Sequence, residues 1–94
     1  MNQQLIRPLL AELVRREAAL QEGDSVLVQP FIEGMKVDNP ISIPGFDHDQ
    51  IDASLRWLAR RGYIGTGGVP IDEANIGIYF SGITPAGRRM MTPA

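Results

Sequence analysis

Ninety-four residues without a cysteine predict a single domain with one modest hydrophobic core and no large enzyme cleft. The missing thiols exclude disulfides, zinc knuckles and thiol catalysis, and they fit a reducing compartment. Eleven acidic against nine basic side chains create no overall field toward nucleic acid or anionic membrane. The imbalance lies within the chain, at −5 over residues 1–52 and +3 over residues 53–94, so an anion-binding surface belongs to the second half.

Leu5, Ile6, Leu9, Leu10, Leu13 and Val14 recur at helical spacing and Gly23-Asp24 ends the run, which predicts an amphipathic helix over 3–22. Pro8 permits either a continuous helix from Gln3 or a regular one from about Arg7. Glu12 and Arg16 stand at i and i+4, the spacing of a surface ion pair. Arg7, Pro8, Glu12, Arg15 and Arg16 interrupt any continuous apolar run, so neither a signal peptide nor a membrane span is expected. The expected location is the cytoplasm.

Ser25 to Ile32 alternates as a strand, with Val26, Val28 and Pro30 on one face and Leu27, Gln29 and Phe31 on the other. Pro30 confines it to an edge or ends it. Glu33-Gly34 and Asp38-Asn39-Pro40 are turn chemistry, and Ile41 to Ile43 reads as a short return strand.

The most fully specified stretch is Phe46 to Ile64. Asp47 is an N-cap with Gln50 completing a capping box, and Phe46 and Ile51 are placed for a hydrophobic staple. Asp49 and the Arg60-Arg61 pair complement the two dipole ends. Gly62 can take the left-handed conformation of a Schellman ending, with Tyr63 folding back on Leu58. The predicted helix is 48–61. Ile51, Leu55, Leu58 and Ala59 share its core arc, while Trp57 falls outside that arc, beside Gln50 and Arg61.

Beyond Gly62 a strand over 63–66, a loop over 67–75 and a strand over 76–83 make a hairpin with a long tip, with Ile76, Ile78 and Phe80 on one face. Thr84 as N-cap and Pro85 as first residue open a short terminal helix that Gly87 weakens.

This order predicts an α+β fold, and it resembles the winged-helix domain through Leu55, Leu58, Gly62, Tyr63 and Ile64, then Ile83, Thr84, Pro85 and Gly87. More narrowly, Leu5 to Leu13 and Asp47 to Met91 are similar to the YjcQ-like group of small bacterial and phage proteins. The resemblance implies that the central helix takes the recognition-helix position and that residues 63–83 are the wing. A winged helix also has a support helix before its recognition helix. Here Ser25 to Gly45 carries five breakers and no helical period, so a hairpin or loop is expected in its place.

Asp47, His48, Asp49 and Asp52 could be read as metal ligands, but capping and first-turn charge account for them more simply. His48 is the single histidine and has no orienting partner in sight. Gly65, Gly67 and Gly68 lack the Lys-Ser/Thr and the following helix of a phosphate loop. Ser25, Ser42, Ser54 and Ser81 lie in no nucleophile motif. The expectation is a non-enzymatic protein without cofactor or metal. Arg56, Arg60, Arg61, Arg88 and Arg89 are the candidate nucleic-acid contacts, opposed by Asp47, Asp49 and Asp52 in the half of the helix that reads bases in such domains.

Two functions follow: a DNA-associated regulator acting through the C-terminal half of the central helix and the wing, or a protein-interaction module with no nucleic-acid role. A homodimer belongs to the second. The leucines of the first helix cover about half its circumference, wider than the roughly 100° stripe of one core contact, which offers Leu5, Leu9 and Leu13 as an interface, with Trp57 as a secondary one. The alternative is that the Ser25 to Ile43 segment and the terminal helix cover both flanks within one chain.

Overall fold

In the computed structural model of the chain, residues 3–28, 40–68 and 77–91 are described. Seven short elements follow one another: α1 (Gln3–Ala18), β1 (Val26–Leu27), α2 (His48–Arg60), β2 (Ile64–Gly65), β3 (Tyr79–Phe80), β4 (Gly82–Ile83) and α3 (Pro85–Met91). The result is a small α+β structure with three helices and two small antiparallel sheets.

The capping signals of α2 act as their chemistry requires. The Gln50 amide donates to Asp47 Oδ1 at 2.8 Å and the Asp47 amide donates to Gln50 Oε1 at 3.0 Å, the two reciprocal bonds of a capping box. At the other end Gly62 has φ 75°, and the Tyr63 and Gly62 amides donate to the Leu58 and Ala59 carbonyls at 2.9 and 3.1 Å, a Schellman ending. Phe46 is partly buried against the core. Arg61 serves as the C-cap, so the helix stops one residue before the predicted limit.

α1 runs from Gln3 with Pro8 inside it, so the continuous alternative holds. It stops at Ala18, four residues short of the predicted end, because the chain tightens there. Ala19 and Leu20 donate to Arg16 and Glu17 three residues back, the short-range bonds that close a helix terminus. Leu5, Leu9 and Leu13 are 2, 0 and 0 % exposed within this single chain. The wide leucine face is thus covered intramolecularly, against α2 and β4 among other elements, and these three side chains are core and do not line a surface.

β3 and β4 are separated only by Ser81 and lie between two partners. Val26 and Leu27 pair with Phe80 and Tyr79, and the Val28 amide donates to the Ile78 carbonyl at 3.0 Å. Ile64 and Gly65 pair with Ile83 and Gly82, and the Ser81 amide donates to the Gly65 carbonyl at 2.9 Å. Because successive residues of a strand point their amides and carbonyls to opposite edges, β1 and β2 flank the stretch from Ile78 to Ile83. Gly82, at φ 140°, adopts a backbone open to few other residues and pairs with Gly65 directly after Ser81.

The Ile83 amide, which faces away from β2, is taken by Glu17 of α1, whose Oε2 accepts it at 2.6 Å. The other oxygen of Glu17 pairs with Arg88 of α3. One carboxylate therefore ties α1, β4 and α3 together.

α3 begins where the sequence predicts. Thr84 Oγ1 accepts from the Gly87 amide at 3.1 Å as an N-cap and donates to the Gly62 carbonyl at 2.6 Å, which holds the start of α3 against the end of α2. Gly87 has a use that propensity does not reveal: a Cβ there would overlap the Tyr63 carbonyl and stand 2.8 Å from Ile83 Cγ2. The glycine lets α3 lie directly on the backbone after α2.

Ile41 and Ile43 form no strand; both are buried and anchor their segment in the core by side chains alone. Val26 is 38 % exposed while Val28 is fully buried, so the two do not share one burial environment as strict alternation predicts. Gln29 to Ile32, the Glu33-Gly34 and Asp38-Asn39 turns, most of the loop tip and Ile76 lie outside the described residues.

Candidate interaction surface

Helical geometry fixes what α2 shows to solvent. Ile51, Ser54, Leu55 and Leu58 are buried, and the opposite side presents Asp49, Ala53, Arg56 and Arg60 at i, i+4, i+7 and i+11, one continuous stripe. Asp49, Ala53 and Arg60 are exposed. Arg56 is only partly exposed, because its Nε donates to Asp52 Oδ2 at 2.8 Å across one helical turn. Its guanidinium is neutralised by its own helix, which lowers its value as a phosphate contact.

The remaining candidate arginines divide in the same way. Arg88 pairs with Glu17, so it serves the junction of α1 and α3. Arg61 places its guanidinium carbon 5.5 Å from the centroid of the Trp57 ring, within cation–π range. Arg60 and Arg89 are exposed, and among the described residues neither they nor Arg61 take part in an ion pair. The structure thus does not bring the five arginines together as one open basic stripe. Two are held by carboxylates, two crown the end of α2, and one lies on α3.

Trp57 is less isolated than the helical wheel implies. It is partly buried against the core, and its ring meets that of Tyr63 at 5.5 Å between centroids, tilted by 41°. Tyr63 reaches it because the left-handed Gly62 reverses the chain directly after the helix. Arg61, Trp57 and Tyr63 form a layered cation–aromatic corner at the C-terminal end of α2.

On α1 Glu12 receives both neighbouring arginines. Arg15 pairs with Glu12 Oε2, and Arg16 Nε lies 3.4 Å from Glu12 Oε1. That second contact is within ion-pair reach but has no hydrogen-bond geometry, since Arg16 Nε is buried without a hydrogen-bond partner. A concavity lies between α1 and α3, with a volume near 320 Å³ and walls that include Ile6, Leu10, Met90 and Met91.

Among the described residues no group of three or more His, Cys, Asp or Glu side chains could hold a metal ion, and no helix is long and apolar enough to cross a membrane. Asp47 is occupied in capping. Comparison with protein-family models, with curated proteins and with solved structures finds no match to this chain.

Sequence reasoning missed Glu17 and Tyr63. Glu17 carried a signal, because on the helical wheel it falls on the arc of Ile6 and Leu10, an acid on a core-facing stripe. The sequence marks Tyr63 only as a capping residue, and the turn at Gly62 brings its ring to Trp57.

Proposed function

We propose that the chain is a non-enzymatic interaction module of winged-helix type, as the likeness to YjcQ-like proteins implies, and that its partner is a protein rather than DNA. The winged-helix reading is supported by the element order and by the flanking of β3 and β4 by β1 on one edge and β2 on the other. In that reading α2 takes the recognition-helix position and the hairpin of β2 and β4 forms the base of the wing.

One observation carries the choice of partner. The outward stripe of α2 has an exposed carboxylate at its head, Asp49, and its central arginine, Arg56, is held by Asp52 at 2.8 Å. A helix that reads DNA brings its N-terminal half to the bases between two phosphate tracks. Here that half carries Asp47 and Asp49, which repel phosphate, while Asp52 and Arg56 cancel each other. A protein surface with mixed charge tolerates both ends of such a helix.

Fluorescence anisotropy with a labelled random duplex tests the reading. Binding no tighter than about micromolar at physiological salt, in the range of non-specific electrostatic association, is expected. A nanomolar complex overturns the charge argument and restores the DNA-associated regulator.

A further inference from the structure

We propose that the corner made by Arg60, Arg61, Trp57 and Tyr63 is a docking site for an acidic protein segment that carries an apolar side chain beside its carboxylates. The proposal rests on the protein-partner reading and gives it a place and a chemistry.

Charge complementarity is the first argument. Arg60 and Arg61 are exposed and, among the described residues, bound to no carboxylate, whereas Arg15, Arg16, Arg56 and Arg88 all face one. A helix C-terminus ordinarily repels anions through its bare carbonyls. At this one three of the last carbonyls of the helix carry hydrogen bonds, Trp57 from the Arg61 amide, Leu58 from Tyr63 and Ala59 from Gly62, and the Gly62 carbonyl accepts from the Thr84 hydroxyl. Arg60 and Arg61 counter the remaining negative end of the helix dipole.

The aromatic pair supplies the second argument. Trp57 and Tyr63 are partly buried, with their rings 5.5 Å apart, so their positions are set before a partner arrives. Arg61 already rests over Trp57, which reduces the ordering cost of using its charge. Tryptophan, tyrosine and arginine dominate the energetics of protein interfaces because they combine large apolar area with a polar end.

A nucleic-acid strand fits this corner less well. Its charge recurs along the whole backbone, and continuing along α2 it meets Asp49. Arg61 lies over the Trp57 ring, so a base stacking on that face has to displace the guanidinium, whereas a carboxylate can pair with it in place. A short run of carboxylates needs the corner alone.

Trp57 is the single tryptophan, so its indole N–H resonance reports on this site without ambiguity. The probes are a short glutamate-leucine peptide, the same peptide with glutamine for every glutamate, and a random DNA duplex. The acidic peptide is expected to move the indole resonance saturably and to bind at least about fivefold tighter than the glutamine peptide. Reversal of two interfacial charges in the Arg60→Glu/Arg61→Glu protein should weaken it by about tenfold or more. Arg7→Glu, an equal charge change per site on α1, should leave it unaltered. Backbone amide shifts of α2 that stay at their wild-type positions in the double variant certify its fold. Equal binding of the two peptides, or unchanged binding by the double variant, overturns the docking site. If neither peptide nor duplex moves the indole, the corner is ruled out and a protein partner must use another face. If the duplex alone moves it at micromolar concentration or below, both the corner and the protein-partner reading fail.

Discussion

Glu17 Oε2 accepts the Ile83 amide at 2.6 Å, across 66 positions of sequence. Ile83 stands opposite Ile64 while the next amide, Thr84, donates to Tyr63, so the Ile83 amide points away from β2, and a partly buried amide without an acceptor costs about 1–3 kcal/mol. Glu17 also pairs with Arg88, so the same side chain fixes the terminal helix. Glu17→Ala should lower stability by about 2 kcal/mol, the mid-range of that cost. Glu17→Gln keeps a carbonyl acceptor for the amide and loses only the ionic contact, so it should recover more than half. Urea melts of the three proteins measure the ordering, and faster hydrogen exchange at the Ile83 amide in the alanine variant locates it. Equal stabilities would mean that the bond is not formed in solution.

Gly87 tests the closeness of α3 to the turn after α2. In an isolated helix Gly→Ala is favourable by up to about 1 kcal/mol. Here the added methyl overlaps the Tyr63 carbonyl, and backbone cannot rotate aside as a side chain does. We expect Gly87→Ala to destabilise by about 3 kcal/mol, at the upper end of overpacking effects, and to shift the Tyr63 and Thr84 amide resonances. A stabilised variant would show that α3 does not dock on that carbonyl.

These two residues also mark where the sequence stops being informative. Local chemistry within a few positions was legible: the Asp47 cap, the Gln50 box, the Schellman turn at Gly62 and the Thr84 cap all form as their spacing predicts. What depends on a partner distant in sequence was not. Gly87 reads as a weak helix residue until Tyr63 lies against it, and Glu17 reads as a misplaced acid on a core-facing stripe until the Ile83 amide meets it. Ile41 and Ile43 look like a strand because β-branched alternation does not distinguish pairing from mere anchoring in a core. The leucine face of α1 was ambiguous for a related reason. A wide apolar arc shows that much surface must be buried but not whether one chain or two bury it.

The cap and the staple of α2 make separable contributions. Asp47→Ala removes the acceptor for the Gln50 amide and should cost about 1 kcal/mol. Phe46 is only partly buried, so Phe46→Ala should cost about 2 kcal/mol, below the roughly 3–5 kcal/mol of a fully buried ring. Guanidinium melts with an unchanged slope check both, and no loss for either would place the start of the helix elsewhere.

The leucine face of α1 separates folding from association. Leu9 is fully buried in the single chain, and truncating such a side chain costs about 2–5 kcal/mol. Leu9→Ala should therefore lower the urea midpoint. In the wild type that midpoint should not change with protein concentration, since a face closed by its own chain gains nothing from mass action. An obligate dimer using this face behaves otherwise: its midpoint climbs as protein is added, and Leu9→Ala lowers the association constant measured by sedimentation. Melts at one and at one hundred micromolar distinguish the two. A rising wild-type midpoint would overturn the intramolecular burial of Leu5, Leu9 and Leu13 and return them to an interface.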